Sequence, residues 1–304
     1  MRYICTSIVA TLVLVGTSFA ATINVPSDQP TIAAAISASV NGDVINIAAG
    51  TYNEHSLNTG GKAITIGSAS GNRDVTIDAQ QGGSVFMFES GEGSGTEIKD
   101  LVITGGSAST GGGILCKSNS NPTISGCTIS GNTANYGGGI FCWLSSNPTI
   151  TDCTISDNTV ISSGSGIFCE DSNPTITGCT IEGNTANFYG GGILCGNSNA
   201  TISGCTISGN TGGGIYCDWG SNPTISGCTI ESNTASTGGG ILCNFNSNPT
   251  ISGCTISGNT VSYRGGGIYC YDNSSPTISG CTIEGNTAEI GGGINCLINS
   301  NPTI

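Results

Sequence analysis

The chain has 304 residues, with 50 Gly, 9 Pro, 16 Cys and only 8% charged side chains, 6 basic against 19 acidic. A net charge of −13 is unsuited to a phosphate backbone, no apolar run reaches the ~20 residues of a membrane-spanning helix, and glycine plus proline stays below the level of an aperiodic low-complexity chain. A nucleic-acid binder, a membrane helix bundle, a coiled coil and a disordered tail are thereby excluded, and sixteen cysteines point to an oxidising compartment or to metal.

Residues 1–20 read as an export leader, with Arg2 in a short n-region, an apolar stretch over 8–16, and Ser18-Phe19-Ala20 before the cleavage point. Its removal takes away Arg2 and Cys5 and leaves fifteen cysteines and a net charge of −14. Residues 21–104 form an irregular N-terminal section. A helix is predicted over 30–38, where Ile32 and Ile36 are four apart and Asp28 can serve as N-cap. Strands are predicted at 44–47, 63–66, 75–77, 85–88 and 98–103. A helix at this end would cover the open edge of a first stacked layer.

From about Gly105 to Ile304 one unit repeats. It is read at Asn121-Pro-Thr-Ile-Ser-Gly-Cys-Thr-Ile-Ser-Gly-Asn-Thr-Ala134 and Gly137-Gly-Gly-Ile-Phe-Cys142, and it restarts at steps of 26, 26, 26, 23, 26, 27 and 26 residues from Pro122. A period of this size means a solenoid. Three alternating runs per unit, Gly-Gly-Gly-Ile-x-Cys, Pro-Thr-Ile-Ser and Cys-Thr-Ile-Ser, have the period-2 pattern of half-buried strands. Pro to Cys and Cys to Asn are always five residues, so all length variation falls in two turns. The reading is an all-β, right-handed parallel β-helix, three short strands per rung of ~26 residues, with rungs stacked at ~4.8 Å. Ile114, Ile140, Ile129, Ile155 and their equivalents should line the core, the recurrent Asn132, Asn158 and Asn184 should bond rung to rung, and the glycine triplets should mark a bend where a Cβ would crowd its neighbours. The chain stops at Asn301-Pro-Thr-Ile304, in the middle of a unit, and is expected to be a fragment.

Val25-Pro-Ser-Asp-Gln-Pro-Thr-Ile32, Gly42-Asp-Val-Ile-Asn-Ile47 and Ala49-Gly-Thr-Tyr-Asn-Glu54 resemble the opening of bacterial secreted proteins of the pectin-lyase-like β-helix. The Gly-Gly-Gly-Ile and Cys-Thr-Ile-Ser-Gly-Asn-Thr-Ala strings are similar to the repeats of chlamydial polymorphic outer-membrane proteins, with Ile where that family prefers Phe. These resemblances span about 22–304 and imply architecture; lyases, hydrolases, adhesins and spacers share it.

Eight cysteines follow the glycine triplets, from Cys116 to Cys296, and seven open the third strand, from Cys127 to Cys281. Within-rung disulfides such as Cys116–Cys127 and stacked free thiols both fit; metal sites would want closer spacing. For catalysis the residues are sparse. His55 is the only histidine, the bases beyond the leader are Lys62, Arg73, Lys99, Lys117 and Arg264, and the nearest carboxylate pairs are Asp152 with Asp157 and Glu170 with Asp171. No cofactor or metal is expected. If Ile and Cys of the Gly-triplet strand point inward, Phe141, Phe168, Tyr216 and Tyr269 point outward, with Trp143, Glu170, Asp218, Trp219 and Tyr271 beside them. Such an exposed aromatic stripe with carboxylates suits sugar rings or a protein partner. Function is therefore read as surface display, adhesion or carbohydrate contact by an exported, non-catalytic β-helix whose partner is a polysaccharide or cell-surface ligand. The alternative is a polysaccharide lyase or glycoside hydrolase of the same fold. The paired hydroxyls Thr123/Ser125, Thr149/Thr151 and Thr175/Thr177 also resemble the Thr-x-Thr faces of β-helical ice-binding proteins.

Overall fold

A computed structural model describes residues 20–304, so the expected leader, Ala20 apart, lies outside the described residues. Three long parallel sheets wrap one core as a right-handed β-helix. Sheet I has 11 strands, from Thr22–Val25 to Thr277–Ser279, and contains every Pro-Thr-Ile strand. Sheet II has 10, from Gly50–Tyr52 to Thr282–Glu284, and contains the Cys-Thr-Ile strands. Sheet III has 9, from Phe86–Phe88 to Ile294–Cys296, and contains the Gly-Ile-x-Cys strands. Each strand pairs with its counterpart one rung away in direct register, Ile140 on Ile167 and Cys142 on Cys169, for example. A short fourth strand follows the recurrent Asn in several rungs, at Thr133–Tyr136, Thr159–Val160 and Thr185–Ala186, and again at Thr234–Thr237 and Thr260–Arg264, with Ser107–Thr110 at the same place after Gly106. The 23-residue rung interrupts this row, where Thr211 alone bridges to Thr185 and Thr234.

The helix is Ile32–Ala38, and Thr31 rather than Asp28 caps it, its Oγ1 accepting from Ala34 N–H at 3.0 Å. Asp28 is occupied instead by Asn24, whose backbone and side-chain amides both donate to it at 2.8 Å. Glu54 accepts from the N–H groups of Ile32 and Ala33 at 2.8 and 2.9 Å, so a loop of the next rung satisfies the first helical turn. Ile32, Ala35 and Ile36 are buried against the first strands, as a cap requires. The run 98–103 is two strands, Glu97–Lys99 and Leu101–Thr104, because Asp100 turns the corner at φ 54°. Thr22–Val25 and Gly50–Tyr52 are strands that the pattern did not announce.

Three inward ladders hold the rungs in register. The ladder isoleucines of all three sheets are buried until the terminal rungs, where Ile23, Ile283 and Ile294 are half-buried; Ile114, Ile124 and Ile129 are completely so. The Asn ladder is buried too, and each Nδ2 donates to the next Oδ1, from Asn158 to Asn184 and from Asn184 to Asn210 at 3.0 Å. Each Asn N–H also donates to that Oδ1 and each Nδ2 to an Ile carbonyl of the rung before, such as Ile155 at 2.9 Å. A serine ladder escaped the sequence reading: the buried Ser120, Ser146, Ser172 and Ser198 each donate N–H to the Oγ one rung on, at 3.0–3.2 Å. Glu92 closes its first end and accepts from Ser120 Oγ at 2.8 Å, Ser90 N–H at 2.9 Å and Gly61 N–H at 3.1 Å. Burial pushes its carboxyl upward, but these donors outweigh burial and hold it below the usual range.

The fifteen cysteines from Cys116 to Cys296 are free thiols, thirteen of them buried, in two stacks. The within-rung pairing Cys116–Cys127 is not formed: Cys116 stacks on Cys142, and Cys127 Sγ faces the Ile98 carbonyl. Next to a second thiol and away from water, a thiolate is disfavoured, and Cys205, under Cys179 first and burial next, is pushed up to about 11. Unfolding without reductant should release all fifteen of these thiols to a colorimetric thiol reagent, while the thirteen buried ones stay unreactive in the native protein.

The triplet's third glycine sets how closely the rungs approach. A Cβ on Gly139 would lie 2.5 Å from the Gly166 carbonyl and 3.0 Å from Ile155, whereas one on Gly204, at φ +60°, meets nothing. Gly139→Ala should therefore cost several kcal/mol in urea unfolding, and Gly204→Asn, which tolerates positive φ, less than about 1 kcal/mol. Asn184→Ala removes four ladder hydrogen bonds and leaves the buried Asn158 N–H without its acceptor, for an expected loss of roughly 3 kcal/mol or more.

Candidate functional site

Sheet III turns two rows of side chains inward, Ile and Cys, and one row outward: Leu115, Phe141, Phe168, Leu194, Tyr216, Leu242 and Tyr269. The outward row is not an exposed stripe. Phe141, Phe168, Tyr216 and Tyr269 are only 3%, 8%, 6% and 7% exposed, because residues one rung apart cover each other's flanks. Phe141 and Phe168 pack at 5.0 Å between ring centroids. Residues from the variable turns close over the row from one side: Tyr136 reaches Phe168 at 5.9 Å and Tyr189 reaches Tyr216 at 5.0 Å. These wall residues were not singled out from the sequence, although they sit in one of the two turns per rung that accept insertions.

The row after Cys forms the opposite wall. It runs Trp143, Glu170, Gly196 and Asp218 in direct register, followed by Asn244 and Tyr271. Trp143 is 38% exposed but leans on Phe141 at 6.3 Å, whereas Trp219 is 62% exposed. Between the walls lie three clefts. The first, about 270 Å³, is bounded by Tyr136, Phe168, Glu170 and Trp219. The second, about 310 Å³, shares Tyr136, Phe168 and Trp219 and adds Tyr189, Tyr216 and Asp218. The third, about 360 Å³, begins at Tyr189 and continues through Asn244, Tyr263, Arg264, Tyr269 and Tyr271. Shared residues join them into one groove along the helix axis. Seven of the nine site residues expected from sequence line it: Phe168, Glu170, Tyr216, Asp218, Trp219, Tyr269 and Tyr271; Phe141 and Trp143 lie just outside. Of the carboxylate pairs weighed from sequence, Asp152 and Asp157 occupy two separate corners at φ 53° and 55°, whereas Asp171 stays close enough to Glu170 to disfavour its charge.

Polar groups gather in the second and third clefts. Asn244 Nδ2 donates to Tyr216 Oη at 3.0 Å, and the Tyr216 hydroxyl is within hydrogen-bonding reach of the Asp218 carboxylate. Asp218 Oδ1, Asn244 Oδ1 and Arg264 Nε are buried without a hydrogen-bond partner, and all three belong to groove residues. Burial pushes Asp218 up against the opposing bonds from Tyr216 and the Trp219 N–H, burial followed by Asp171 pushes Glu170 up, and burial foremost raises Tyr216. Arg264 lies over the Tyr263 ring at 4.6 Å and donates to its hydroxyl at 2.9 Å. Among the described residues no cluster of three or more His, Cys, Asp or Glu has the geometry of a metal site.

A raised carboxyl pKa means that the native state binds a proton before the unfolded chain does, so stability falls as pH rises from the unfolded to the native value. Asp218→Asn should accordingly raise the melting temperature at neutral pH, with the gain vanishing in acid where both forms are neutral; equal melting at pH 7 would show that burial costs Asp218 nothing.

A family model described as a right handed beta helix region matches residues 62–194 and, again, 181–304. No curated protein matches the chain. Among solved structures, the pectate lyase Pel9A aligns at a TM-score of 0.51 and 12% identity, covering 94% of this chain and 79% of that one. A Geobacillus virus E2 protein, ORF18, aligns at 0.44 and 17% identity over 93% of this chain and 60% of that one. The A-module of the Azotobacter vinelandii mannuronan C-5 epimerase AlgE6 aligns at 0.35 and 15%, over 86% and 82%. At these identities the likeness is one of fold.

Proposed function

This chain belongs to the right-handed beta helix family, and from that premise and the groove on sheet III we propose that it is an exported protein that binds an extended carbohydrate polymer lengthwise, without turning it over. One observation carries this reading: the three clefts lie end to end along the axis and each is walled by aromatic rings, Tyr136 and Trp219 in the first two and Tyr263 and Tyr271 in the third. Sugar rings present C–H faces to such rings and hydroxyls to Glu170, Asp218 and Asn244. One stacking contact contributes roughly 0.5–1.5 kcal/mol, so affinity would have to come from a chain that occupies successive clefts.

A second reading has its own observation. Glu170 and Asp218 stand in one column two rungs apart, roughly 9–10 Å, with Gly196 between them, and both carboxyls are raised by burial. That separation borders the range in which an acid and a base flank a glycosidic bond with water between them. The two readings part on turnover.

Titration of oligosaccharides of increasing length should quench tryptophan fluorescence with affinity that grows with length and no release of reducing ends. Trp219→Ala should weaken binding roughly three- to tenfold, and Trp143→Ala less, since that ring leans on Phe141 outside the clefts. Reducing ends that appear with the wild type and vanish in Glu170→Gln would replace binding with hydrolysis.

A further inference from the structure

We infer that the second cleft takes a primary ammonium group, and that the polymer the groove selects is one of unacetylated amino sugars; this rests on the carbohydrate reading above and narrows it. The cleft of about 310 Å³ presents five aromatic side chains, Tyr136, Phe168, Tyr189, Tyr216 and Trp219, around one carboxylate, Asp218. Oδ1 of that carboxylate is buried and has no donor. A buried oxygen bearing charge is costly to leave unpaired; the Tyr216 hydroxyl beside the carboxylate can offer only a neutral donor, and no basic side chain among the described residues is placed to neutralise it.

The bases are accounted for elsewhere. Lys117 stands four rungs from Asp218 on the same wall and is held by Glu89 at 2.8 Å. Arg264 belongs to the next cleft and stacks on Tyr263. Lys62 donates to the Ile36 carbonyl at the helix, and Arg73 to the Asp152 carbonyl on a corner. Lys99 lies on sheet I beside Glu97. A cationic partner for Asp218 must therefore come from outside the described residues.

Its charge follows from the walls. Aromatic faces carry negative potential and attract a cation within about 6 Å of the ring centroid. A carboxylate at the same place adds a charge-assisted hydrogen bond, about twice as strong as a neutral one. A uronate carboxylate would meet Asp218 and Glu170 as like charges, in a protein whose formal charge is already −13. A neutral hydroxyl would satisfy Oδ1 but make no use of the rings' potential. An ammonium on a sugar ring uses all of it, with the ring's C–H face left for Trp219 or Phe168. N-acetylation removes the charge.

Binding isotherms at fixed ionic strength with the hexamers of glucosamine, N-acetylglucosamine and galacturonate, and with a lysine hexapeptide, test the assignment. The glucosamine hexamer should bind at least tenfold tighter than its acetylated form, and galacturonate should bind weakest. Asp218→Asn should erase that preference, bringing the glucosamine hexamer down to the affinity of its acetylated form, and Tyr136→Leu should reduce it by a few fold. Glu284→Gln, an exposed carboxylate on sheet II, should preserve it, which separates the site from general charge attraction. Equal binding of the two hexamers, or a preference that survives Asp218→Asn, would overturn the ammonium site and leave the carbohydrate groove standing. The lysine peptide binding as tightly as glucosamine would overturn the sugar assignment in favour of a protein partner. Failure of all four to bind would remove both readings together.

Discussion

Every rung must retrace the path of its neighbour to within a hydrogen bond's length. In a parallel solenoid the backbone N–H of one rung has its acceptor in the next, and a slip of one residue would turn every inward side chain to solvent. The third glycine of the triplet fixes this distance most tightly, because the Gly166 carbonyl fills the space that a Cβ on Gly139 would need. The Asn ladder fixes the register beside it, since each amide has both its donor and its acceptor committed to adjacent rungs. Close approach without a register lock would permit slippage, and a register lock without close approach would stretch the amide bonds. Both devices stand at the same bend, a few ångströms apart: Asn158 Nδ2 is itself among the atoms nearest a Cβ on Gly139.

Much of this was legible because stacking converts sequence period into spatial contact. Ile, Asn and Gly recur at fixed distances from Pro and Cys, so their ladders could be read without knowing any dihedral angle. Serine was missed for a physical reason: Ser120 and Ser146 sit in a stretch of Ser and Asn that reads as an ordinary polar turn, and only coordinates show that the serine is the buried member and the neighbouring Asn the exposed one. The helix cap was misplaced because Asp28 and Thr31 are both good capping residues, and Asn24, upstream of the helix, decides between them by engaging Asp28. The thiol state was open because a disulfide and a stacked thiol place the same demands on spacing.

The groove was half legible. Strand alternation correctly sends Phe141, Phe168 and Tyr216 to the outer face of sheet III, but alternation carries no information on what lies above that face. The wall comes from Tyr136, Tyr189 and Tyr263, in the turns whose length changes from rung to rung, where a repeat-based reading has no template to compare against. The shortened turn of the 23-residue rung, Asn210-Thr211-Gly212, contributes no residue to any of the three clefts, and Tyr189, one rung before, leans over Tyr216 there. A missing segment thus shapes the site as much as a present one.

That contrast bears on why a carboxylate stands at position 218. The inward columns admit almost no variation, since each member is a contact for two others. The wall column is different: Lys117, Trp143, Glu170, Gly196, Asp218, Asn244, Tyr271 and Leu297 occupy equivalent places, so the backbone there accepts a cation, an anion, an amide, a bare glycine or an aromatic ring without loss of register. The fold therefore makes no demand for Asp218. Its oxygen is nevertheless buried and unpartnered, in a position where burial disfavours its charge and where Gly196 one rung away shows that no side chain is needed at all. A group that the scaffold does not require, held at a cost to the folded state, is the pattern expected where a surface is shaped by what it binds rather than by how it folds.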